Sequence, residues 1–580
     1  MRPPARLTWI AAVLASLGAT ACLPAANDSP NNYDGGSGGG CSNDSQCGSA
    51  SGCVAGRCVP RATAMDTSAW SIEIDPPLLS GSQITELPSF VSAMPMIIAS
   101  AGFELTIPFL GRENVGAALP ASASAIVTVP SRIPGRPDLS FQSMLELGVA
   151  NPEMRTTSAL ARVSLPDALR GQMATVSLIP LPPSDRTTPP YTFAIPVPLA
   201  GQPFSTLDLP TTSRALRGQV LDALGSAKVQ FTARAFRNGV LVSTTARTEA
   251  TETNQAGNFV IIVPIGTSDG ITLELAPDPG TSDPWVTYAG LSLTQQTTDL
   301  GAIMLPAVLK ATPFQVTIHG GDGDATPVSG AKVRAYTTLE GGDARVSARF
   351  IRDGASDLGG TANLSLMPGD TDNPRPYTLS VVPPAGSIWA TLCIDNVPAQ
   401  WPGTAPVTLL RDVTLPRRAV IMGTLLSASG VQVANAIVTA TGGTAPMPHC
   451  LAGPTTTSTT TDATGSFTLR LDPGKYQVEY DPPAGSALPR MIDRTVDITP
   501  ADTYRTVVVR LPTPVLVEGD VFKAPAPEPP ARGVPVRDAT VRIFESLCPP
   551  PDPCTVLLRA ETQTDANGHF RAVVAMPGTN

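Results

Sequence analysis

One short signal recurs along the latter part of the chain at a nearly constant period. It has the form T/S-D/N-x-x-G, and the closing glycines, spaced by 103, 105 and 103 residues, are Gly257, Gly360, Gly465 and Gly568. Self-similarity at a fixed period marks a tandem array of one structural unit, and a period of about 100 residues matches the size of a small domain. The chain is therefore predicted to contain at least four related domains.

Each copy of the signal is predicted to form a tight turn between two strands. An aspartate or asparagine that opens a turn accepts a hydrogen bond from a backbone N–H two residues on, and the closing glycine tolerates a positive φ. The turn residues predicted in this way are Asn254, Gly257, Asp357, Gly360, Asp462, Gly465, Asp565 and Gly568. A calcium site is the alternative, but Ca²⁺ takes about six to eight oxygen ligands and each turn offers one carboxylate. A structural role is favoured, and no metal is expected.

Short runs of alternating or β-branched residues, bounded by proline, glycine and serine, fill the remaining chain and predict an all-β fold. The 61 prolines and 50 glycines among 580 residues indicate a turn-rich folded protein rather than a disordered one. We assign one β-sandwich region to residues 66–210. The four repeats are assigned to residues 211–306, 307–412, 413–512 and 513–580.

The fourth repeat stops early. The third repeat continues past its Pro473-Gly474 turn into the strand KYQVEY, whereas the fourth stops at Pro577-Gly578-Thr579-Asn580. We therefore predict that residues 513–580 lack their last strand and leave an open sheet edge. Truncation of the sequence is the favoured explanation, and donation of the missing strand by a partner is the alternative.

The amino terminus has the layout of a secretory signal over residues 1–21. Two arginines precede an apolar run, which ends in Ala19-Thr20-Ala21-Cys22. These four residues resemble the lipobox of bacterial lipoproteins, and the resemblance implies that Cys22 carries the lipid, palmitate among its acyl chains, that attaches the protein to the membrane. Cleavage after Ala21 by ordinary signal peptidase is the alternative. Leu23 is not the aspartate associated with inner-membrane retention, so the resemblance implies the outer membrane of a Gram-negative cell.

The glycine-, asparagine- and serine-rich residues 22–40 are predicted to be a flexible tether. Four cysteines then fall within residues 41–60, where two disulfides can replace a hydrophobic core; they are Cys41, Cys47, Cys53 and Cys58. Zinc is disfavoured because no close C-x2-C pair is present. Of the remaining cysteines, Cys548 and Cys554 are expected to close a small loop, which leaves Cys393 to pair with Cys450 by elimination.

The repeats also share the motifs G-x-V/L, A-x-V-x-A, T-D-x-x-G-x-F, P-G-x-Y-x-V and P-P-A-G-S. Together these resemble the carboxypeptidase regulatory-like domain, a transthyretin-like or prealbumin-like sandwich related to immunoglobulin-like folds and to the Cna-B repeats of surface adhesins. The resemblance covers residues 215–580 and is weakest at Thr361-Ala362-Asn363, where the usual aromatic is missing. It implies seven-stranded sandwiches that act as stalk, spacer or ligand modules rather than as catalysts.

Neither charge nor motif favours an enzyme or a nucleic-acid-binding protein. The net charge is −9, and the three histidines fall in three different repeats without an H-E-x-x-H motif. We therefore expect a non-enzymatic, extracytoplasmic, lipid-anchored envelope protein without a cofactor, whose partners are the membrane and a polysaccharide or surface protein. The alternative is a carbohydrate-binding accessory lipoprotein, although aromatic residues make up 5% of the chain.

Overall fold

The computed structural model describes most of the chain between residues 40 and 576. Within that span the description leaves out residues 64–69, 90–94, 113–117, 211–212, 223, 250–254, 266–268, 280, 282, 306–311, 322–325, 341–345, 371, 402, 404–405, 444–448, 452, 454, 500, 524–532 and 549–553. The predicted signal peptide, Cys22 and the tether up to residue 39 therefore lie outside the described residues.

The described chain is built almost entirely of β-strands, which confirms the predicted fold class. The amino-terminal strands are β1 (Ser51–Val54), β2 (Arg57–Pro60), β3 (Trp70–Asp75), β4 (Thr85–Leu87) and β5 (Met96–Ala99). The next strands are β6 (Gly102–Arg112), β7 (Ala123–Val129), β8 (Leu139–Met144), β9 (Glu146–Asn151), β10 (Thr156–Pro166), β11 (Met173–Pro180), β12 (Tyr191–Pro196) and β13 (Leu207–Asp208). Four single turns of 3₁₀-helix are also described: Asp44–Gln46, Leu78–Ser80, Asp167–Leu169 and Ser184–Arg186.

The first two repeats contribute fifteen strands. The first repeat contains β14 (Ser213–Leu221), β15 (Phe231–Arg237), β16 (Val240–Leu241), β17 (Ala246–Arg247), β18 (Asn258–Pro264), β19 (Ile271–Pro277), β20 (Trp285–Leu291) and β21 (Thr297–Met304). The second contains β22 (Thr312–Gly320), β23 (Lys332–Glu340), β24 (Val346–Ala355), β25 (Thr361–Leu366), β26 (Arg375–Val382), β27 (Leu392–Ala399) and β28 (Thr408–Leu415). The last strand of the second repeat runs three residues past the boundary expected at residue 412.

The third repeat contains β29 (Ala419–Leu426), β30 (Ile437–Gly442), β31 (Thr456–Thr460), β32 (Ser466–Leu471), β33 (Gly474–Asp481), β34 (Met491–Ile498) and β35 (Tyr504–Arg510). The fourth contains β36 (Pro514–Lys523), β37 (Thr540–Leu547), β38 (Thr555–Gln563) and β39 (His569–Ala575). We call the sandwich of β6–β13 sandwich N, and those of the first three repeats sandwiches 1, 2 and 3.

Sandwich 3 shows the arrangement of the repeat. A three-stranded sheet of order β32-β29-β35 packs on a four-stranded sheet of order β31-β30-β33-β34. Alternate residues of both sheets point inward, and the core between them includes Leu425, Val438 and Phe467. Since side chains alternate along a strand, a half-buried sheet needs the period-two pattern that the sequence shows. Sandwiches 1 and 2 use the same two-sheet arrangement, in which the first and last strands pair in parallel.

The fourth repeat is completed by the amino-terminal segment of the same chain. Strand β3 pairs antiparallel with β37, β4 continues that sheet, and β5 pairs parallel with β36. The orders β38-β37-β3-β4 and β39-β36-β5 reproduce the two sheets of sandwich 3. We call this unit, made of residues 70–99 and 514–575, the closing sandwich.

Two predictions about boundaries are therefore wrong. Residues 66–210 do not form one sandwich, because strands 70–99 belong to the closing sandwich and sandwich N begins at Gly102. The fourth repeat does not leave an open edge, because β3 and β5 occupy the positions of the strands that seemed to be missing. The physical reason is burial: β3 carries three inward side chains that are at most 1% exposed, namely Trp70, Ile72 and Ile74.

The five sandwiches form a closed circuit of contacts. Sandwich N meets sandwich 1 through the Thr245 N–H, which donates to the Asp185 carbonyl, and sandwiches 1 and 2 share one nine-stranded sheet because β20 pairs with β24. A disulfide joins sandwiches 2 and 3, and Ala487 of sandwich 3 shares one buried cluster with Val59 of the knot and Leu516 of the closing sandwich. The circuit closes where the Ser546 hydroxyl donates to the Pro134 carbonyl of sandwich N.

Candidate functional site

The repeat turns have the local geometry that the signal predicts. In sandwich 3 the Asp462 carboxylate accepts backbone N–H bonds from Thr464 at 2.8 Å and Ser466 at 2.9 Å. The equivalent carboxylates, Asp357 and Asp565, each accept two backbone N–H bonds in the same pattern. Bonds from the Thr464 hydroxyl and from these amides lower the pKa of Asp462. These carboxylates are occupied in stabilising their own turns, while Asn254 lies outside the described residues.

The four turn glycines are required by a close approach as well as by their dihedral angles. Gly257, Gly360, Gly465 and Gly568 all have φ between 71° and 82°. In sandwich 3 a Cβ at residue 465 would lie 2.7 Å from the Leu425 carbonyl oxygen. The Leu425 N–H also donates to the Gly465 carbonyl at 2.8 Å. Each turn is thereby fastened to the first strand of its own sandwich.

The residue before the turn aspartate has a role that the sequence analysis missed. The buried Thr461 hydroxyl donates to the Val433 carbonyl at 2.7 Å and accepts the Ala436 N–H at 2.9 Å. Ser356 and Thr564 make the same pair of bonds in sandwich 2 and in the closing sandwich. Because a buried polar group without a partner is costly, a small hydroxyl residue is needed here. Its place in the T/S-D/N-x-x-G signal was the available clue.

Sandwich 2, the repeat with the weakest resemblance to the family motifs, differs from the others at two facing core positions. The side-chain volume there is distributed differently between the two paired strands. Gly218, Gly423 and Gly519 lie opposite Phe259, Phe467 and Phe570, respectively, and each ring fills the space beside its glycine. In sandwich 2 the same pair of positions holds Val316 and Ala362. A valine and an alanine replace a glycine and a phenylalanine, so the pair still fills the core. The missing aromatic at Ala362 is thus compensated across the sheet.

Strand β3 of the closing sandwich carries a sequence signal that the sequence analysis missed. The segment Trp70-Ser-Ile-Glu-Ile-Asp75-Pro-Pro has the pattern of Tyr476-Gln-Val-Glu-Tyr-Asp481-Pro-Pro in sandwich 3. The registers agree, since Asp75 lies opposite Thr540 and Asp481 lies opposite Ile437, positions separated by the 103-residue period. The proline pair after each strand marks the same bend. The shared pattern therefore marks residues 70–75 as a strand of the same type as residues 476–481.

Strand β3 also carries a buried carboxylate, that of Glu73. The side chain of Glu73 has no solvent exposure and bonds to two guanidinium groups. Arg542 on the neighbouring strand β37 lies 2.9 Å away, and Arg136 reaches it from sandwich N. A buried carboxylate needs such partners because removal from water disfavours the charged form. Glu73 therefore ties the closing sandwich internally and to the next sandwich in the circuit.

The disulfide knot at residues 41–60 docks on the closing sandwich through a cluster of alternating charges. Arg61 bonds to Asp44 at 2.7 Å and to Glu518 at 2.6 Å, and Arg571 bonds to the same two carboxylates at 2.8 and 2.7 Å. The Arg571 hydrogen bond, followed by the Cys53 N–H bond, lowers the pKa of Asp44. Beside the charges, Val59 packs against Leu516. The knot thus covers the outer face of the sheet that β5 completes.

The described cysteines form four disulfides. Cys41 bonds to Cys53 and Cys47 bonds to Cys58 within the knot. Cys548 bonds to Cys554 in a small loop, and Cys393 bonds to Cys450 across the junction of sandwiches 2 and 3. Three knot sulfurs lie within 4.8 Å of one another, but their disulfides leave no thiolate to bind a metal.

The three histidines lie in three different sandwiches. His449 stacks on Tyr336 with ring centroids 3.8 Å apart, beside the disulfide that joins sandwiches 2 and 3. Burial, with a smaller contribution from the charge of Arg349, lowers the pKa of His449. His319 bonds to Asp412 in sandwich 2, and His569 bonds to Asp520 in the closing sandwich. The other ring nitrogen of His319, Nε2, lies 2.8 Å from the Thr414 hydroxyl.

The tryptophans do not form a common surface in the described part of the chain. Trp70 is 1% exposed in the core of the closing sandwich. Trp285 and Trp389 are each covered by an arginine, Arg349 and Arg417, respectively. Trp401 is 37% exposed and lies after strand β27. A sugar-stacking platform built from several indole faces is therefore not present among these residues.

Helices contribute only single turns to the described residues. No helix there has the length and apolar character needed to cross a membrane.

Comparison with known proteins identifies no family for this chain. No family model and no curated protein matches it. Among solved structures, the Bacillus anthracis TIE protein matches with 11% identity and a TM-score of 0.14, over 70% of this chain and 69% of that chain. The minor pilin GBS52 of Streptococcus agalactiae matches with 12% identity and a TM-score of 0.21, over 38% of this chain and 100% of that one.

A third similar structure is the pilus adhesin SpaC from Lactobacillus rhamnosus GG in its open conformation. It matches with 10% identity and a TM-score of 0.16, over 75% of this chain and 56% of that chain. At such TM-scores the chains do not superpose as wholes, so the comparison carries no argument about assembly or activity. The class of this protein is defined by its own strands: a multi-sandwich β-protein with a disulfide knot.

Proposed function

We propose that this protein is a non-enzymatic, lipid-anchored scaffold of the cell envelope that presents its sandwiches for contact with a surface protein or a polysaccharide. The observation that carries the proposal is the closed circuit of contacts. Each of the five junctions is held by a hydrogen bond, shared sheet, disulfide, ion pair or apolar contact. Junctions of this kind stabilise a fixed arrangement, which suits a scaffold better than a hinged catalyst.

The place of the knot supports anchoring at the amino-terminal end. The knot begins at Cys41 and is fastened to the closing sandwich by Arg61 and Asp44. The predicted tether, residues 22–40, would thus join the lipid on Cys22 to the point where the circuit closes. A force on the anchor would be applied at this closure. The carboxypeptidase regulatory-like resemblance, with its stalk and spacer modules, agrees with a mechanical role.

Anchoring is tested by fatty-acid labelling in the native host. Cells expressing the intact chain are fed an alkyne analogue of palmitate, and the Cys22→Ala variant is compared with wild type and with the matched Ser42→Ala variant. We expect label and membrane fractionation for wild type and Ser42→Ala, and neither for Cys22→Ala. A wild-type protein that carries no label and fractionates as soluble would exclude the lipid anchor.

Exposure is tested by protease accessibility. Trypsin is added to intact cells, and the closing sandwich is followed with an antibody beside a periplasmic control protein. Digestion in intact cells supports presentation on the outer face, and protection until the outer membrane is permeabilised supports a periplasmic scaffold. Detection only in the cytoplasmic fraction contradicts both.

A further inference from the structure

Strand β31 at the edge of sandwich 3 has the features of a self-pairing surface. It pairs on one side with β30 and forms one end of the order β31-β30-β33-β34, so its other side has no strand partner among the described residues. Side chains alternate along it, with Thr456, Ser458 and Thr460 exposed. An unpaired edge presents a row of backbone N–H and C=O groups that can accept another strand.

The protections that usually guard such an edge are missing from β31. Its sequence TTSTT contains no charge and no proline, and its ladder with β30 has no register shift. Two other edges of four-stranded sheets are guarded: β34 carries Asp493 and a register shift, and β38 carries Glu561. The edges β4 and β16 are only three and two residues long. Strand β31 therefore differs from these edges in being open to pairing.

The same position already pairs elsewhere in this chain. In sandwich 2 the equivalent edge strand is β24, which takes β20 of sandwich 1 as an antiparallel partner. The register runs from Trp285 opposite Arg349 to Tyr288 opposite Val346. Addition of a strand at this edge is therefore compatible with the sandwich and extends its four-stranded sheet.

The sequence around β31 is a palindrome, which indicates the occupant. Residues 455–461 read T-T-T-S-T-T-T and are centred on Ser458. An isologous dimer needs a surface that is complementary to itself. Antiparallel pairing about a twofold axis at Ser458 places Thr457 opposite Thr459 of the other copy and Thr456 opposite Thr460. Threonine pairs across antiparallel strands are favourable, and no like charges meet.

We infer that β31 is a homodimer interface, at which two copies of this chain pair edge to edge and join their four-stranded sheets into one of eight strands. The inner residues Thr457 and Thr459 lie beside Val438 and Ala440 of β30, so their methyl groups extend the apolar core to the twofold axis. Five residues on each side bury little area. We therefore expect reversible dimerisation with a Kd on the order of micromolar or weaker.

The test combines sedimentation velocity with a disulfide trap on the intact chain. Residues directly opposite in an antiparallel pair have Cα atoms about 4.5–5.5 Å apart, within the range that a disulfide spans. The variant Ser458→Cys should therefore form a covalent dimer under mild oxidation, with the 458–458 peptide identified by mass spectrometry. The matched control Thr468→Cys, exposed on the other sheet of the same sandwich, should remain monomeric.

A charged side chain at the twofold axis should weaken the dimer. Ser458→Lys places like charges directly opposite and should raise the dimer Kd at least tenfold, whereas Thr468→Lys should leave it unchanged. A chain that stays monomeric at all concentrations and gives no 458–458 disulfide would overturn the inference. A dimer that persists in Ser458→Lys would overturn it too, because another surface would then hold the two copies. Unchanged thermal unfolding of both lysine variants shows that the fold is intact.

Discussion

Sandwich 3 and the closing sandwich have the same strand order, but the chain builds them in different ways. Sandwich 3 uses one continuous run from Ala419 to Arg510, whereas the closing sandwich joins residues 514–575 to residues 70–99. Their central ladders are nevertheless in the same register. Register is thus set by the inward pattern of apolar side chains rather than by the loop that connects two strands.

The difference has a consequence for folding. In sandwich 3 only two residues separate β32 from β33, while in the closing sandwich the strands that meet are separated by most of the chain. Long-range pairing is slow because loop-closure entropy is lost before contacts form. We expect sandwich 3 to fold as an independent unit and the closing sandwich to form last.

The largest effect on stability is expected from removing strands β3, β4 and β5 of the closing sandwich. Deletion of residues 40–99 takes away Trp70, Ile72, Ile74 and Ile97, each worth about 2 kcal/mol or more of burial, against a total stability of roughly 5–15 kcal/mol for one domain. The remaining strands 514–575 should not fold, while sandwich 3 should still melt cooperatively. Hydrogen exchange of the two regions in the deletion variant provides the measurement.

A circular permutant is the control for that deletion. It begins at residue 102 and joins residue 578 to residue 69, so that Pro577-Gly578 precedes Trp70 as Pro473-Gly474 precedes Tyr476. The closing sandwich should then be continuous like sandwich 3 and should recover its exchange protection. A permutant as unprotected as the deletion would show that the closing strands need the original connection.

The second-largest effect on stability is expected from substitutions at the glycine–phenylalanine pairs. Phe467→Ala in sandwich 3 and Phe570→Ala in the closing sandwich should each cost about 3–5 kcal/mol, because each leaves a cavity. Gly423→Val and Gly519→Val should each cost about 1–3 kcal/mol by crowding the ring. The double variants copy the Val316–Ala362 pair of sandwich 2 and should be more stable than the sum of the single changes predicts. Urea unfolding gives the coupling, and additive free energies would argue against volume exchange.

A smaller effect distinguishes the two equivalent glutamates. Glu73→Gln should destabilise the closing sandwich by about 3 kcal/mol, because two half-buried guanidinium groups lose a carboxylate that has no solvent exposure. Glu479→Gln should cost less, since Glu479 is 20% exposed and pairs with Arg490 within its own sandwich. Thermal unfolding followed by calorimetry measures both changes. Equal losses would mean that the contact of Glu73 with Arg136 contributes nothing to the closure.

The smallest effect is expected when low pH weakens the docking of the knot on the closing sandwich. The Arg571 and Cys53 hydrogen bonds lower the pKa of Asp44, so its contribution to docking is complete above the unfolded pKa of about 4 and is lost as pH falls through the folded value. Protease sensitivity of residues 40–62 should therefore rise below about pH 4 in the wild type. Asp44→Asn should show the higher sensitivity already at pH 7. A wild-type profile that stays flat to pH 2 would contradict this role of Asp44.

The turn residues were predictable because their chemistry is local. Asp462 and Gly465 act within a few residues of one another, so a pattern in the sequence is sufficient to find them. The closure was not predicted, because Trp70 and Glu545 become neighbours only when remote parts of the chain meet. The matching Asp-Pro-Pro after both strands was a usable clue, but nothing local shows which sandwich Trp70 completes.

The β-strands, the period and the turns could be predicted from the sequence, because alternation, glycine and aspartate act over a few residues. The cysteine-rich knot was predictable as well, and it contains two disulfides. The closure of the array on itself follows from tertiary contacts instead, since it depends on which core can bury Trp70, Ile72 and Ile74. The docking of the knot depends on tertiary contact as well, because Asp44 and Glu518 share their arginines only when the two ends of the chain are brought together.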